Sequence, residues 1–406
     1  MPSLIAQREK YTGMKLKRLP EDFQVDEISA FQADGGAHAL YRLTKRGMGT
    51  FEAIEAIRRR WDLQPDRISY AGLKDRYAVT SQYLTVLHGP RRGLRETSFE
   101  LAYLGQASRR FSSEDISANH FRIVLRDLSK AEIASARIAL EEIARDGLAN
   151  YFDRQRFGSV GESGEFVAQP WCRGDYERAL WLALADANDH DRPQDRAEKE
   201  LLRVHWGDWQ TCLPLLTDSS RRRVVEYLAD RPGDFRAAIT RIDHHLRSMY
   251  LAAFQSFLWN EMLAEWLREE CRGDEIVEVF LHDRRYPFPR CTASDKRAVI
   301  EKASLPLPSA RLHLAEGKTR GLIERLLERH GLDLRQLRVK YPRDTFFSKG
   351  DRLAIVCPAN LTHSTGADDI YPQREILTLS FELPRGSYAT VLVARMAVGD
   401  RAQPEQ

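Results

Sequence analysis

The sequence of 406 residues predicts an α+β fold, in which helices pack on a mixed, largely antiparallel sheet and a mainly helical segment interrupts that domain. Three observations lead to this prediction. Strand and helix patterns alternate through residues 1–158, helical patterns dominate residues 159–336, and strand patterns return within residues 337–406. A chain of this length favours two domains. We therefore expect the first and last segments to form one domain, with the middle segment inserted as a second.

Within the first segment, short runs rich in β-branched and aromatic residues predict strands at 37–44, 67–71, 82–88 and 120–126. Thr50 is expected to cap a helix, because apolar residues follow it at mostly helical spacing. A second helix is expected to begin at the capping box of Ser129 and Glu132 and to end near Gly147.

The middle segment has helical patterns separated by loops rich in Pro, Gly and Asp. The predicted helices are 176–186, 194–204, 220–229, 244–271 and 319–330. The fourth is too long and too aromatic for a surface helix, so we expect it in the core. Strands are then predicted at 352–357 and 375–381, whereas 359–374 has the composition of a mobile loop. Residues 388–396 suit either a strand or a helix, and Ser387 as an N-cap favours a short helix.

The composition is that of an ordinary soluble globular protein, with 43% hydrophobic and 30% charged residues. The 62 basic and 59 acidic residues leave a net charge of +3, which by itself does not indicate nucleic-acid binding. A nucleic-acid face would have to come from local arginine clusters, although a solvated surface is the simpler interpretation of any one cluster. The clusters are Arg91, Arg92 and Arg95; Arg109 and Arg110; Arg154 and Arg156; Arg221 to Arg223; and Arg284, Arg285 and Arg290.

The five cysteines are widely separated and form no Cys-x-x-Cys pair, and the histidines show no metal-ligand spacing beside them. We therefore expect no structural metal, and thiols that are reduced and mostly buried, as suits the cytosol. The N-terminus lacks a long apolar run, and no later segment reaches about 18 apolar residues. The sequence thus predicts a soluble cytoplasmic protein without a membrane partner.

One acidic residue stands between two cations in the turn between two predicted strands. Asp75 is flanked by Lys74 and Arg76, and Gly72 lets the backbone bend sharply or approach a ligand closely. A carboxylate held by cations at a strand end suits a nucleophile or a general base. Local charge also leaves open a solvated surface acid with ordinary ion-pair neighbours.

The segment that contains Asp75 resembles a known catalytic motif. Residues 72–82 match Gly-x-Lys-Asp-x-x-Ala-x-Thr-x-Gln of the TruD family of pseudouridine synthases. Two departures from the family pattern occur elsewhere: Asp153 stands where glycine is usual, and Tyr388 where phenylalanine is common. Five further segments are similar to motifs of the family and keep its order, namely 17–23, 119–121, 150–158, 255–260 and 383–390.

The resemblance implies an enzyme that isomerises uridine to pseudouridine in RNA, with uridine 13 in the D-arm of tRNA as the usual substrate. It also implies a pseudouridine synthase catalytic domain with a family-specific TRUD domain inserted into it. The reaction breaks the N1–C1′ bond, turns the base and rejoins it through C5, so it needs no cofactor and no metal. A sequence that lacks a Walker loop and a dinucleotide fingerprint agrees with such chemistry. We expect a monomer with tRNA as its partner.

The resemblance also assigns the central catalytic role. Asp75 corresponds to the family nucleophile, and Lys17 corresponds to a basic residue that pairs with it. Whether the carboxylate attacks C1′ or C6, or assists departure of the base, stays open. From the residues alone, Lys17 also fits a surface position.

Four further residues correspond to a uridine pocket. The resemblance places Asn119 at the uracil edge and Phe121 in a stack on the base, with Phe23 and Tyr388 as further aromatic walls. Phe121 lies on an alternating strand and fits a core position as well. Phe23 also fits simple packing beneath the turn that precedes it.

Two other functions stay open. A pseudouridine synthase acting on another RNA class would carry the same motifs, because target choice depends on the insertion and on dispersed basic contacts. A non-catalytic RNA-binding or RNA-chaperone protein is the other possibility, although the intact Asp75 and its matched partners argue against it.

Overall fold

The structure is a computed structural model, and it describes residues 10–11, 14–188, 191–217, 219–281, 284–290, 293–314 and 316–397. The chain folds into two compact units. The first ends at Leu148 and resumes at Val356, and the second runs from Ala149 to Ile355. The insertion expected at 159–336 lies inside the second unit, which is longer than expected at both ends.

The strands in chain order are β1 (Lys10–Tyr11), β2 (Met14–Lys15), β3 (Phe23–Ser29), β4 (His38–Arg46), β5 (Ile68–Tyr70), β6 (Val79–Leu87), β7 (Leu94–Arg95), β8 (Phe99–Ala107), β9 (Ile116–Leu128), β10 (Leu148–Ala149), β11 (Ile276–Leu281), β12 (Arg284–Pro289), β13 (Ser304–Pro306), β14 (Asp351–Leu353), β15 (Ile355–Val356), β16 (Ala359–Ala367) and β17 (Glu375–Pro384). The helices are α1 (Thr50–Trp61), α2 (Lys130–Asp146), α3 (Ala168–Arg173), α4 (Tyr176–Leu184), α5 (Pro193–Val204), α6 (Trp209–Cys212), α7 (Ser220–Asp230), α8 (Phe235–Ala238), α9 (His244–Glu270), α10 (Ser294–Ile300), α11 (Lys318–Arg329) and α12 (Ala389–Met396). Short 3₁₀ helices include Pro20–Asp22 before β3 and Arg154–Phe157 after β10.

The first unit is built on one sheet with the strand order β16-β17-β9-β3-β6-β4-β8-β7. Strand β5 also pairs with β6, and the β1–β2 hairpin joins the end of β9. Among the described strands of this sheet, β3 and β6 form the one parallel pair. The predicted α+β class with a mixed, largely antiparallel sheet is therefore confirmed.

The predicted strands and helices of the first unit form, with longer bounds for most strands. The Ser129 hydroxyl accepts from the Glu132 amide at 3.2 Å, and the Glu132 carboxylate accepts from the Ser129 amide at 2.7 Å. Helix α2 ends at Gly147, whose φ is +78°. Both signals that predicted this helix are thus confirmed.

Helix α1 covers one face of the sheet. Its buried face carries Ala53, Ile54 and Ile57, which pack against apolar residues of β4, β6 and β8. Tyr41 and Leu84 lie at the centre of this core and are fully buried. Burial of each such side chain stabilises the folded protein by roughly 1.5–3 kcal/mol. It also fixes the strands that carry the candidate site.

The prediction of a loop at 359–374 is wrong over its first half. Residues Ala359–Ala367 form the edge strand β16, which pairs with β17 in an antiparallel register. Both faces of β16 are solvent-exposed and polar over most of its length, so the alternation of apolar residues that indicates a strand is missing. Backbone pairing with β17, rather than burial, forms this strand.

The helix predicted after residue 388 is confirmed as α12, but its predicted N-cap is wrong. The residue at the N-cap position is Tyr388, one residue beyond Ser387. Gly386 adopts a φ of +84°, and the Ser387 amide donates to the Pro384 carbonyl at 3.2 Å. This turn uses Ser387 to close the chain reversal, and the helix begins after it.

The second unit is mainly helical, and all five helices predicted within it form. Helix α9 is its core, with Phe254, Leu258 and Trp259 fully buried. The hairpin β11–β12 and the strand β13 were not predicted. The strand predicted at 352–357 forms as two short strands, β14 and β15, separated by Ala354. The Asn150 amide donates to the Ala354 carbonyl at 2.9 Å, a contact that joins the two ends of this unit.

Three of the cysteines, Cys172, Cys212 and Cys271, are buried, and Cys357 is exposed. Cys291 lies outside the described residues. In the part of the chain that the structure describes, no helix combines the length and apolar character needed to span a membrane.

Candidate active site

Asp75 lies in the loop that joins β5 to β6, and buried side chains hold the backbone of that loop. The Thr50 hydroxyl at the start of α1 accepts from the Lys74 amide at 2.9 Å and donates to the Gln82 side chain at 3.1 Å. Gln82 in turn donates to the Gly72 carbonyl at 3.1 Å. Because Thr50 and Gln82 are buried, these bonds are protected from water and fix the loop.

The Asp75 carboxylate forms an ion pair with Lys17. The Lys17 ammonium lies 2.9 Å from the Asp75 Oδ2 atom and 4.1 Å from the centre of the Phe23 ring. The two side chains are 20% and 27% exposed, so the pair is partly buried and still reachable from solvent. The ammonium fixes one carboxylate oxygen and balances its charge.

The position of Lys17 is set by its backbone conformation and by the anchored segment that follows it. Its φ is +56°, an uncommon conformation for a residue other than glycine. Further along, the buried Asp22 accepts from the Leu19 amide at 2.7 Å and from the Arg126 guanidinium at 2.9 Å. Arg126 is also buried and lies 3.2 Å from Asp368, so the segment before β3 is anchored to β9.

A second polar group lies beside the loop. The Lys74 ammonium donates to the Asn119 side-chain oxygen at 2.7 Å and lies 3.0 Å from the Glu27 carboxylate, which is fully buried. Glu27 also accepts from the Tyr83 amide at 2.9 Å. Glu27 and Asn119 face each other across β3 and β9, so strand register brings Asn119 to the residue that precedes Asp75.

Three phenylalanines pack together next to this group. Phe121 is 7% exposed; its ring lies 6.3 Å from that of Phe23, at 68°, and 5.5 Å from that of Phe381, at 24°. The structure thus shows Phe121 in core packing, one of the two interpretations that the sequence left open. Tyr388 is half-buried at the start of α12, after the turn that follows β17.

A comparison with known protein families gives a match across nearly the whole chain. The family model of tRNA pseudouridine synthase D (TruD) matches residues 3–396. The chain belongs to this family.

Curated relatives match over nearly the whole chain. A probable tRNA pseudouridine synthase D 2 of Methanocaldococcus jannaschii is 29% identical over 396 residues, covering 95% of this chain and 92% of the relative. The tRNA pseudouridine synthase D of Aquifex aeolicus is 29% identical over 402 residues, covering 95% and 99%. The crystal structure of a putative TruD from Methanosarcina mazei is 22% identical, covers 95% of this chain and 93% of that one, and has a TM-score of 0.71. That likeness shows the shared fold.

Lys45 is a residue of the site that the sequence reasoning missed. Its ammonium donates to the Asp75 carbonyl at 2.7 Å and to the Lys74 carbonyl at 3.4 Å, and the side chain is almost wholly buried. Burial lowers the pKa of Lys45 to about 8 from an ordinary 10.5, while the Asp75 charge opposes that shift. Ala39, Tyr41, Leu43 and Lys45 alternate on the buried face of β4, so a lysine in phase with apolar residues was the available signal.

Glu27 was missed for a similar reason. It alternates with Val25 along β3, and an acidic residue in such a strand is ordinarily expected to face solvent. The ion pair with Lys74 is what allows it to be buried. Among the described residues, no group of three or more His, Cys, Asp or Glu side chains is placed to hold a metal ion.

Proposed function

We propose that this protein converts uridine to pseudouridine in tRNA, at uridine 13 of the D-arm, with Asp75 as the nucleophile. Membership of the tRNA pseudouridine synthase D family supports pseudouridine formation in tRNA. The observation that carries the proposal is the 2.9 Å ion pair of Lys17 with Asp75, on a loop held by buried Thr50 and Gln82. The first unit would be the catalytic domain, and the second the family-specific insertion.

The chemistry requires one carboxylate at the junction of sugar and base. The N1–C1′ bond breaks, the base turns and a C5–C1′ bond forms. The hydrogen on C5 is lost to solvent as a proton and N1 takes up a proton from solvent, so atoms and electrons balance without a redox partner. Glycoside hydrolysis generally uses two carboxylates because water must also be activated. Here the detached base returns as the nucleophile, so one carboxylate suffices, whether it adds to C1′ or C6 or assists departure of the base.

The uridine must leave the RNA stack to reach Asp75, and the neighbouring side chains are suited to hold it. Because Lys74 donates to the Asn119 oxygen, the Asn119 amide nitrogen is the group oriented toward a uracil carbonyl. Phe23 and Tyr388 would close the pocket. Phe121 is so well packed that a base can stack on it only after neighbouring side chains shift. We further propose a cytoplasmic monomer, in line with the buried thiols.

The first prediction concerns the nucleophile. Asp75→Asn keeps the size of the side chain but removes its charge, so turnover should vanish while tRNA binding persists. Tritium release from tRNA labelled at uridine C5 measures the reaction, because bond formation at C5 expels that hydrogen. Asp66→Asn is the matched control, since Asp66 is an exposed acid ahead of β5 and should keep full activity.

Two outcomes would contradict parts of the proposal. Substantial tritium release by Asp75→Asn would remove Asp75 as the nucleophile. A transcript with cytidine in place of uridine 13 tests the position separately: release that persists on it would contradict the site in tRNA and leave the reaction itself in place.

A further inference from the structure

A cavity of about 490 Å³ in the second unit has an unusual concentration of positive charge. Its walls come from three segments, around residues 309–311, 337–340 and 343–347. Four of the lining residues are basic, and none of the described lining residues is acidic. They are Arg311, Arg338, Lys340 and Arg343.

These four cations are not neutralised by acidic side chains of the described residues. All four side chains are exposed, and none forms an ion pair with a residue that the structure describes. Arg320 and Arg325, by contrast, pair with Glu324 and Glu265 at 2.9 Å and 3.2 Å. Several like charges around one concavity repel one another and raise the local concentration of anions. The cavity is therefore suited to a polyanion.

An aromatic ring stands among these charges. Phe346 is 52% exposed, and the Arg311 guanidinium lies 4.4 Å from the centre of its ring. The buried floor beneath is apolar and includes Val339 and Phe347. Exposed aromatic faces beside cations are how proteins bind unpaired nucleotides, because the base stacks while the phosphates meet the positive charges.

A buried hydroxyl gives an independent indication of a ligand. Ser309 lines the cavity and is 1% exposed, and its Oγ atom has no hydrogen-bond partner among the described residues. A buried polar group without a partner costs roughly the desolvation of that group, so such groups are few in native proteins. A ligand in the cavity would supply the missing partner.

We propose that this cavity binds an unpaired stretch of the RNA substrate, with phosphates against Arg338, Arg343 and Lys340 and a base stacked on Phe346. This inference rests on the proposed function, since it takes tRNA as the ligand. An acidic peptide would satisfy the charges but would make no use of a flat aromatic face, so RNA is the better match.

The test uses the full-length protein and measures RNA affinity against salt concentration. Each lost phosphate contact should reduce the slope of log affinity against log salt by about 0.7 for single-stranded RNA. Arg338→Gln combined with Arg343→Gln should therefore flatten the slope by about 1.4 on oligouridylate, whereas the two Arg→Lys changes should preserve it. Arg320→Gln removes an exposed arginine that is already paired and should leave the slope unchanged.

The aromatic contact is tested separately. Phe346→Ala should weaken binding of oligouridylate and tRNA about 5- to 150-fold without changing the salt slope, because stacking releases no counterions. Phe346→Tyr should restore most of the affinity. Melting temperatures of all variants should match the wild type, since the altered side chains are exposed.

The outcomes separate this inference from the proposed function. Unchanged slope and affinity in the double variant and in Phe346→Ala would overturn the RNA site, even where the wild type forms pseudouridine. If the double variant flattens the slope while the wild type forms no pseudouridine, the RNA site is supported and the proposed function is contradicted. With active variants, the single-turnover rate at saturating tRNA should equal that of the wild type, and a lower rate would contradict a role confined to binding.

Discussion

The ammonium group of Lys45 is almost without contact to solvent, and its burial affects both stability and the loop that carries Asp75. A charged amine in a medium of low polarity is disfavoured unless nearby dipoles compensate it. The carbonyls of Lys74 and Asp75 supply those dipoles and are thereby fixed in place. The neutral amine still has two N–H groups, so both hydrogen bonds survive deprotonation.

The pH dependence of stability should report this group. The folded pKa of Lys45 is about 8 and the ordinary value is 10.5, so between these values the unfolded chain binds more protons than the folded one. Stability due to Lys45 should therefore rise with pH across this window. Relative to Lys45→Met, the free energy of unfolding of the wild type should increase by up to about 1.4 kcal/mol per pH unit. Urea denaturation of both proteins between about pH 8 and 10 measures this increase. Parallel plots of unfolding free energy against pH for the two proteins would contradict the prediction.

Phe121 calls for a test that separates packing from base stacking. Phe121→Leu and Phe381→Leu each replace one ring of a stacked pair, and each should lose up to about 1.5 kcal/mol of stability. If Phe121 also stacks on the flipped base, Phe121→Leu should slow single-turnover isomerisation by an amount equivalent to about 1–3 kcal/mol, and Phe381→Leu should not. Unfolding and rates are measured on the same preparations. Equal rates per folded molecule in the two variants would leave Phe121 with a packing role only.

At the scale of single residues, the sequence predicted the ion pair of Lys17 with Asp75 better than the residues that support it. Asp75 and Lys17 could be predicted because they lie in specific motifs, and the structure joins them directly. Lys45 and Glu27 could not, because burial of a charge depends on partners that are distant in the chain. The carbonyl of Asp75 and the ammonium of Lys74 are such partners, and no local pattern encodes them.

At the scale of elements, the end of α2 offers a sharp test of backbone conformation. Gly147 combines a φ of +78° with a ψ of 179°, a region that is essentially restricted to glycine. Gly147→Ala should therefore lower stability by about 1–3 kcal/mol. Gly273→Ala is the control, because its φ is not in the positive range and a Cβ there meets nothing within 4 Å, so a change within about 0.5 kcal/mol is expected. Equal effects of the two changes, read from denaturant midpoints, would contradict the argument.

Elements that bury one face were predicted well, and those that do not were missed. Helices α1 and α2 have the predicted apolar spacing, and α2 has the predicted cap at Ser129. The cap predicted at Thr50 is wrong, because Gly49 occupies the N-cap position of α1 and Thr50 is its first residue. Strand β16 is exposed along most of its length and is held by backbone pairing with β17, which leaves no trace in side-chain alternation. The length of an edge strand is therefore decided by its neighbour rather than by its own residues.

At the scale of the whole molecule, the bounds of the two compact units differ from those of the predicted segments. The sequence changes from alternating strand and helix patterns to mainly helical patterns near residue 160, whereas the second unit begins at Ala149. The difference arises because Asn150 accepts from the Arg352 guanidinium and donates to the Ala354 carbonyl, in contacts between residues about two hundred positions apart in the chain. Local periodicity does not register such contacts.

The pairing of β9 with β17 has a consequence for how the protein is made. Strand β17 follows the entire second unit in the chain, yet it completes the sheet of the first unit by pairing along β9. On the ribosome, β9 emerges early and keeps one edge open until the last strand has been synthesised. The second unit, being continuous in sequence, is free to fold in the meantime. The sheet of the first unit is consequently completed last, and the open edge of β9 is a place where the nascent chain can pair with another chain and aggregate.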